Sequence, residues 1–208
     1  MAGIVIVNLG TGNLHSVMKA VEHVNGSNGV TVSRDPEQIR NADHLLLPGQ
    51  GAIGTWVSQL DENPELHQAV VARLADGPVL GICLGLQALF EYSDENGGVE
   101  GLGIMGGQVH RFTPTGIKVP HMGWNQVSQK QCHPLWHGIA DNERFYFVHS
   151  YFVDAADKVC EAGTCTYGIT FTAAATQNNI FATQFHPEKS QQAGLQLLKN
   201  FVHWNGVH

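Results

Sequence analysis

Val79-Leu80-Gly81-Ile82-Cys83-Leu84-Gly85-Leu86-Gln87 joins a short apolar run to a helix-forming one. Residues 79–82 read as a buried strand, and residues 84–92 predict the helix that follows. Glycines two positions to either side of Cys83 let the chain turn sharply from strand to helix. With serine in the central place, this layout is the nucleophile elbow of hydrolases. Cys83 then stands at a helix N-terminus, where free N–H groups favour a thiolate. The N–H of Leu84 is placed to stabilise an oxyanion. A buried structural cysteine in a glycine-rich turn remains the other reading until a base is found for it.

Working outward, the same strand-then-helix alternation recurs. Ile4-Val5-Ile6-Val7 is an apolar run ending in Asn8-Leu9-Gly10-Thr11-Gly12-Asn13, with a helix expected over residues 14–24 and Asn13 as its N-cap. Residues 30–32 read as a second strand, and Asp35-Pro36 opens a short helix. Residues 44–47 form a third strand that is expected to stop at Pro48-Gly49. Asn63-Pro64-Glu65 starts a helix that Gly77 ends. Such alternation implies a mostly parallel sheet with helices on both faces. From residue 101 to about 185 the texture changes to short β-rich runs, Phe145-Tyr146-Phe147-Val148 and Tyr167-Gly168-Ile169-Thr170-Phe171 among them, so antiparallel or mixed strands are expected there. Ser190 is expected to cap a final helix over residues 191–204, with Leu195, Leu198 and Val202 on one face. No linker or repeat divides the chain, and one α/β domain over residues 1–208 is expected.

Composition removes several classes. Among 208 residues the formal net charge is -7, against the basic face that nucleic-acid binding needs. No segment is long and apolar enough to span a bilayer. The start, Met1-Ala2-Gly3, lacks a basic region and cleavage site and reads as cytosolic, so the cytoplasm is the expected location. Cys83, Cys132, Cys160 and Cys165 form no CxxC pair, and disulfides are not expected. His133 and His137 are four apart but lack further spaced ligands, so no metal or other cofactor is expected.

A thiol nucleophile needs a base, and the base needs a group to fix its tautomer. Gln184-Phe185-His186-Pro187-Glu188-Lys189-Ser190 supplies both. On an extended segment His186 and Glu188 point to the same side, with Pro187 stiffening the pair. Pro48-Gly49-Gln50-Gly51-Ala52 follows a strand and offers a second oxyanion donor, from Gln50 or Gly51.

A PG-x-G loop, a G-x-C-x-G-x-Q elbow and a late H-P-E, in that order, resemble the triad-type class I glutamine amidotransferases. The resemblance runs from Ile4 to Phe201. Val119-Pro120-His121-Met122-Gly123-Trp124-Asn125, the segment from Phe145 through His149-Ser150-Tyr151, Ala182-Thr183-Gln184-Phe185-His186-Pro187-Glu188 and the Gly10-Thr11-Gly12-Asn13 turn are similar to the glutaminase subunits of imidazole glycerol phosphate synthase. The resemblance implies a flavodoxin-like domain that hydrolyses L-glutamine to glutamate and ammonia through a Cys83 thioester. It implies a heterodimer with a barrel-shaped cyclase subunit. There ammonia meets a phosphoribulosyl-formimino carboxamide ribotide, giving imidazole glycerol phosphate for histidine synthesis and an aminoimidazole carboxamide ribotide. It also implies that Gln87, His149, Ser150 and Tyr151 hold the glutamine. The family often has an apolar residue where this chain has Gln50.

Three other readings stay open on the sequence. A paralogue would feed ammonia to a different acceptor enzyme. A scaffold on the same fold would have no need of Cys83, His186 and Glu188 together. A cysteine peptidase would need a longer cleft than the second half of the chain leaves room for.

Overall fold

The computed structural model describes residues 3–26, 29–113 and 116–207. Met1 and Ala2, on which the reading of the chain start partly rests, lie outside them. The first half is built as the alternation predicts. Strand β1 (Ile4–Val7) leads to helix α1 (Leu14–Asn25), whose N-cap Asn13 accepts the Ser16 N–H at 3.2 Å. Strand β2 (Val30–Ser33) leads to α2 (Pro36–Arg40), capped by Asp35 with Pro36 in its first turn. Strand β3 (His44–Gly49) is followed by α3 (Ile53–Asp61) and α4 (Pro64–Ala75), and β4 (Val79–Cys83) by the single turn α5 (Leu84–Gln87).

The second half is strand-rich. It comprises β5 (Phe90–Ser93), β6 (Val99–Glu100), β7 (Met105–Arg111), β8 (His121–Gln129), β9 (Glu143–His149), β10 (Tyr151–Ala155), β11 (Glu161–Tyr167), β12 (Ile169–Gln177) and β13 (Ile180–Thr183). Helix α6 (Gln191–His203) closes the chain. Strands β2-β1-β3-β4-β13 are parallel neighbours in that order. The sheet continues through antiparallel β12, β10 and β7. Strand β5 pairs parallel with β7 and antiparallel with β6, while β11, β8 and β9 branch from β12.

Both faces of the parallel part are covered, which is why its strands are apolar at nearly every position. Ile4, Ile6, Leu46, Leu80 and Ile82 pack with Val17 and Val21 of α1 and Leu198 and Phe201 of α6. The alternate residues Val5, Val7, Leu45, Leu47 and Val79 pack with Ile39, Trp56, Leu60 and Val70 from α2, α3 and α4. No helix among the described residues is long and apolar enough to cross a membrane.

Several elements differ from expectation. The helix expected over residues 84–92 ends at Gln87, and Phe90–Ser93 is a strand. The carbonyls of Ala88, Leu89 and Phe90 accept the N–H groups of Leu102, Ile104 and Gly103 instead of continuing a helix. Distant backbone has outcompeted local propensity. Strand β3 does not stop before Pro48, since Pro48 and Gly49 pair with Ile82 and Cys83. Pairing with β1 ends at Leu46, so the missing Pro48 N–H breaks no ladder on that side. The run 167–171 is a hairpin, not one strand: Gly168 turns at φ +73°.

Helix α3 gives little sequence signal, because its N-cap, Ala52, makes no side-chain cap bond. Glu95 takes that role from a distance, its Oε2 accepting Ile53 N–H at 2.8 Å. Ser190 precedes α6 without capping it. Its hydroxyl donates to the His186 carbonyl and accepts from Tyr146 N–H at 2.9 Å. The buried face of α6 is Gly194, Leu197, Leu198, Phe201 and Val202, with Leu195 only half-buried. His133 and His137 flank a 3-10 turn, Pro134–Trp136, and His133 Nδ1 accepts Leu135 N–H.

Candidate active site

Cys83 ends β4 with φ 57° and ψ -101°. A side-chain-bearing residue there is strained, and a surrounding structure must hold it. The flanking glycines do not carry the strain; they permit close approach. A Cβ on Gly85 would collide with the Leu47 carbonyl oxygen, and one on Gly81 would lie 2.9 Å from Gly85 O and from the Ala182 side chain. The elbow is thus pressed against both neighbouring strands. Because α5 is a single turn, its dipole is small. The electrostatic partner of the sulfur is His186.

Strand β13 lies beside β4, with Thr183 opposite Ile82. It therefore delivers Gln184, His186 and Glu188 to the same carboxyl edge of the sheet, where open α/β folds place their sites. His186 and Glu188 meet through a 3-10 turn, Pro187–Lys189, not on an extended segment. Proline suits the first position of such a turn because it has no N–H to satisfy. The backbone bond from His186 N to Tyr146 O, and the Ser190 hydroxyl that accepts from Tyr146 N and donates to His186 O, fix this loop against β9.

His186 Nδ1 lies 2.8 Å from Glu188 Oε1, and both side chains are almost fully buried. The carboxylate can only accept, so Nδ1 carries the proton. His186 Nε2 and Glu188 Oε2 are buried without a well-formed hydrogen bond. Burial works against charge on the imidazole. Electrostatic and side-chain contact with the nearby Cys83 sulfur, and the bond to Glu188, outweigh burial, and the His186 pKa is raised to about 9.

Gln50, Gly51, Cys83, Leu84, Gln87, His149, Ser150 and Tyr151 all line one cavity of about 340 Å³. The structure thus brings these sequence-predicted residues to one wall-to-wall space; Gly49 stands just behind, paired with Cys83. Its Cα has no room for a Cβ, which would lie 2.6 Å from Trp56 and 2.8 Å from Leu84. Pro120, from the 119–125 segment, and Glu95 also line the cavity. Glu95 opens a short 3-10 turn, Glu95–Gly97, and was not singled out in the sequence.

The histidine of the 149–151 segment is spoken for. His149 Nδ1 donates to Tyr151 O at 2.7 Å, and its Nε2 lies 2.9 Å from His121 Nδ1. Asn125 Nδ2 in turn lies 3.3 Å from His121 Nε2. The chain is self-consistent only with both rings neutral, and burial pushes His149 down to about 3 and His121 down to about 4. His121 is stacked on Tyr167 and Phe147, at centroid distances of 4.0 and 4.8 Å. His149 therefore shapes the cavity wall and has no ring nitrogen left for a ligand.

The family described as Glutamine amidotransferase class-I matches residues 5–204. The chain is 54% identical to the imidazole glycerol phosphate synthase subunit HisH of Dechloromonas aromatica, over 97% of this chain and 96% of that protein. It is 50% identical to the HisH subunit of Acinetobacter baylyi, over 99% of this chain and 100% of that protein. Among solved structures, a glutamine amidotransferase superposes with TM-score 0.74 at 16% identity, covering 97% of each chain. The glutaminase domain of a Trypanosoma brucei CTPS superposes with TM-score 0.65 at 15% identity, covering 100% of this chain and 96% of that one. Those two likenesses speak for the fold. With the family match spanning nearly the whole chain and about half of all residues shared with HisH subunits, this chain belongs to the class-I glutamine amidotransferases, in the family of the HisH subunit of imidazole glycerol phosphate synthase.

Proposed function

We propose that Cys83, His186 and Glu188 form the catalytic triad with which this chain hydrolyses L-glutamine to glutamate and ammonia. The observation that carries the reading is the His186–Glu188 contact at 2.8 Å. It uses one ring nitrogen and leaves the other unbonded beside the Cys83 sulfur. Once His186 has taken the thiol proton, the reactive pair is a Cys83 thiolate beside the imidazolium. The thiolate attacks the carboxamide carbon and the C=O electrons move onto oxygen. The resulting oxyanion is held by N–H groups from Leu84 and from Gln50 or Gly51. On collapse the imidazolium gives its proton to the leaving nitrogen and ammonia departs, leaving a thioester. Neutral His186 then takes a proton from water, whose oxygen attacks the thioester and expels the thiolate. Glu188 holds the tautomer throughout.

Gln87, with the Ser150 and Tyr151 wall, would hold the glutamine, and the Glu95 carboxylate suits its α-ammonium group. The partner would be a barrel-shaped cyclase subunit that receives the ammonia for imidazole glycerol phosphate synthesis, in a cytoplasmic heterodimer. Support for a docking face comes from the branch β8–β9 beside the triad. There Met122 and Trp124 are exposed, at 62% and 43%, on a polypeptide that buries its other tryptophans. Trp124, Arg144, Ser190 and Gln191 share a groove that adjoins the His186–Ser190 loop. A subunit docked there would cover the groove and lie next to the turn carrying Glu188 and Lys189.

The test compares the chain alone, with the cyclase, and with cyclase plus nucleotide acceptor, for wild type and Cys83→Ala. Glutamine hydrolysis should require Cys83 and rise on assembly, while ammonium salt should still drive product formation in the variant complex. Glutamine hydrolysis by Cys83→Ala would overturn the assignment.

A further inference from the structure

Gln184 opens the motif that carries His186 and Glu188, yet the mechanism leaves it without a task. It is fully buried, two residues before the base and abreast of the nucleophile. A buried side-chain amide needs partners for both ends. Gln184 finds them on two site residues. Its Oε1 accepts from Gln87 Nε2 at 3.0 Å, and its Nε2 lies 3.6 Å from Cys83 Sγ.

Which end faces the sulfur is fixed by the network. Gln87 Nε2 also bonds to the Tyr151 carbonyl oxygen at 3.1 Å. A backbone carbonyl only accepts, so the Gln87 atom there is the nitrogen, and its second hydrogen points to Gln184. The Gln184 atom that receives it must be oxygen, which turns the Gln184 NH2 toward Cys83. The Tyr151 carbonyl is itself held by the His149 N–H, and His149 by His121. The donor on the sulfur therefore has its orientation determined by a chain of bonds that reaches Asn125. Flipping the Gln184 amide would set NH2 against NH2 at Gln87.

We propose that Gln184 is a positioning residue that directs an amide N–H at Cys83 Sγ and favours its anionic form, locked in that orientation by Gln87. The proposal rests on Cys83 being the nucleophile. A thiolate sulfur is a far better acceptor than a thiol, so one fixed donor stabilises the anion over the neutral form. It also holds Sγ in the strained elbow at one rotamer, on the side opposite the oxyanion loop's task. Sequence reasoning gives no such role, because a glutamine before a His-Pro-Glu carries no signal about what lies 101 residues earlier.

The experiment measures the rate of Cys83 alkylation by iodoacetamide against pH, in Gln184→Met and Gln184→Glu, with Cys132→Ser in the background to remove the exposed thiol. Methionine keeps the volume and removes the donor. Glutamate keeps the shape and the acceptor for Gln87 but turns an oxygen toward the sulfur. The pH of half-maximal alkylation should rise in both, by about one unit in Gln184→Met, a tenfold loss of thiolate at fixed pH. In the assembled complex, kcat with glutamine should fall more than KM rises, and the ammonium-driven reaction should be unchanged. Gln184→Glu decides the matter if Gln184→Met does not fold. An unmoved alkylation midpoint in a folded variant overturns the role of Gln184 and leaves the glutaminase reading standing. Failure of the wild type to hydrolyse glutamine would overturn that reading, while the alkylation profiles still report on the Gln184–Cys83 contact.

Discussion

Gly49 and Cys83, the last residues of β3 and β4, are direct partners across these parallel strands. The loop that begins at Gln50 therefore starts beside the sulfur, with no intervening side chain. Gly51 within it has φ +98° and open space around its Cα, so a substitution there meets backbone strain but no clash. Gly51→Ala should leave the fold intact and disfavour this loop conformation by about 1–2 kcal/mol. Where that withdraws an oxyanion donor, glutaminase kcat should drop by the same margin, roughly five- to thirtyfold. Steady-state kinetics with glutamine and with ammonium salt separate the effects, and an equal loss with both would refute the loop's role.

Glu188→Gln keeps the shape of the pair and removes its charge. Since His186 is raised to about 9 partly by Glu188, the imidazolium that protonates the leaving nitrogen is lost as pH rises through that value. Wild-type kcat should decline on the alkaline side near pH 9. In the variant that limb should move to lower pH, and kcat should fall by about 10²–10⁴. A pH–rate profile with an unmoved alkaline limb would remove Glu188 as the partner that sets the imidazolium.

A γ-electrophilic glutamine analogue should label Cys83 alone. Cys160 and Cys165 are buried, with their thiols held up by burial, Cys165 to about 12. Cys132 is exposed but lines no cavity with Gln87 or Tyr151. Iodoacetamide, which needs no binding site, should label Cys132 as well. Peptide mass spectrometry after each reagent distinguishes affinity from exposure, and analogue on Cys132 at equal yield would count against a glutamine pocket.

Acid should weaken the fold through the His121–His149 pair. Both pKa values are depressed from 6.5, to about 4 and about 3. Below pH 6.5 the unfolded chain binds protons that the folded chain does not, so stability is full above 6.5 and is lost as pH falls toward 4. His186 acts oppositely: its contribution is full below 6.5 and is lost toward pH 9. The unfolded chain takes up a proton on each ring, and the folded pair, joined by its hydrogen bond, takes up neither at pH 5. The pair should cost on the order of 4 kcal/mol between pH 7 and 5. Urea unfolding at the two pH values measures this, and His121→Gln should flatten the difference. An equal difference in the variant would clear the pair of responsibility.

The sequence by itself determined the alternation of the first half, the elbow and which residues are proposed as the triad. These depend on neighbours in the chain: apolar runs of four to six residues that only a doubly covered strand accepts, an Asn13 or Asp35 cap within three residues of the bond it makes, and glycines two positions from Cys83. What tertiary structure decided lies between residues far apart. Residues 88–91 have helical propensity, but carbonyls in that stretch are taken by residues 101–104, and a strand results. Helix α3 starts where Glu95, from another loop, satisfies the Ile53 N–H. Gln184 points its NH2 at Cys83 only because Tyr151, Gln87 and β13 converge there. His149 reads as a substrate contact in the chain but is consumed by Tyr151 and His121. A side chain's partners follow from strand order and register, which fix the distances across the sheet, and the local sequence at one residue does not contain them.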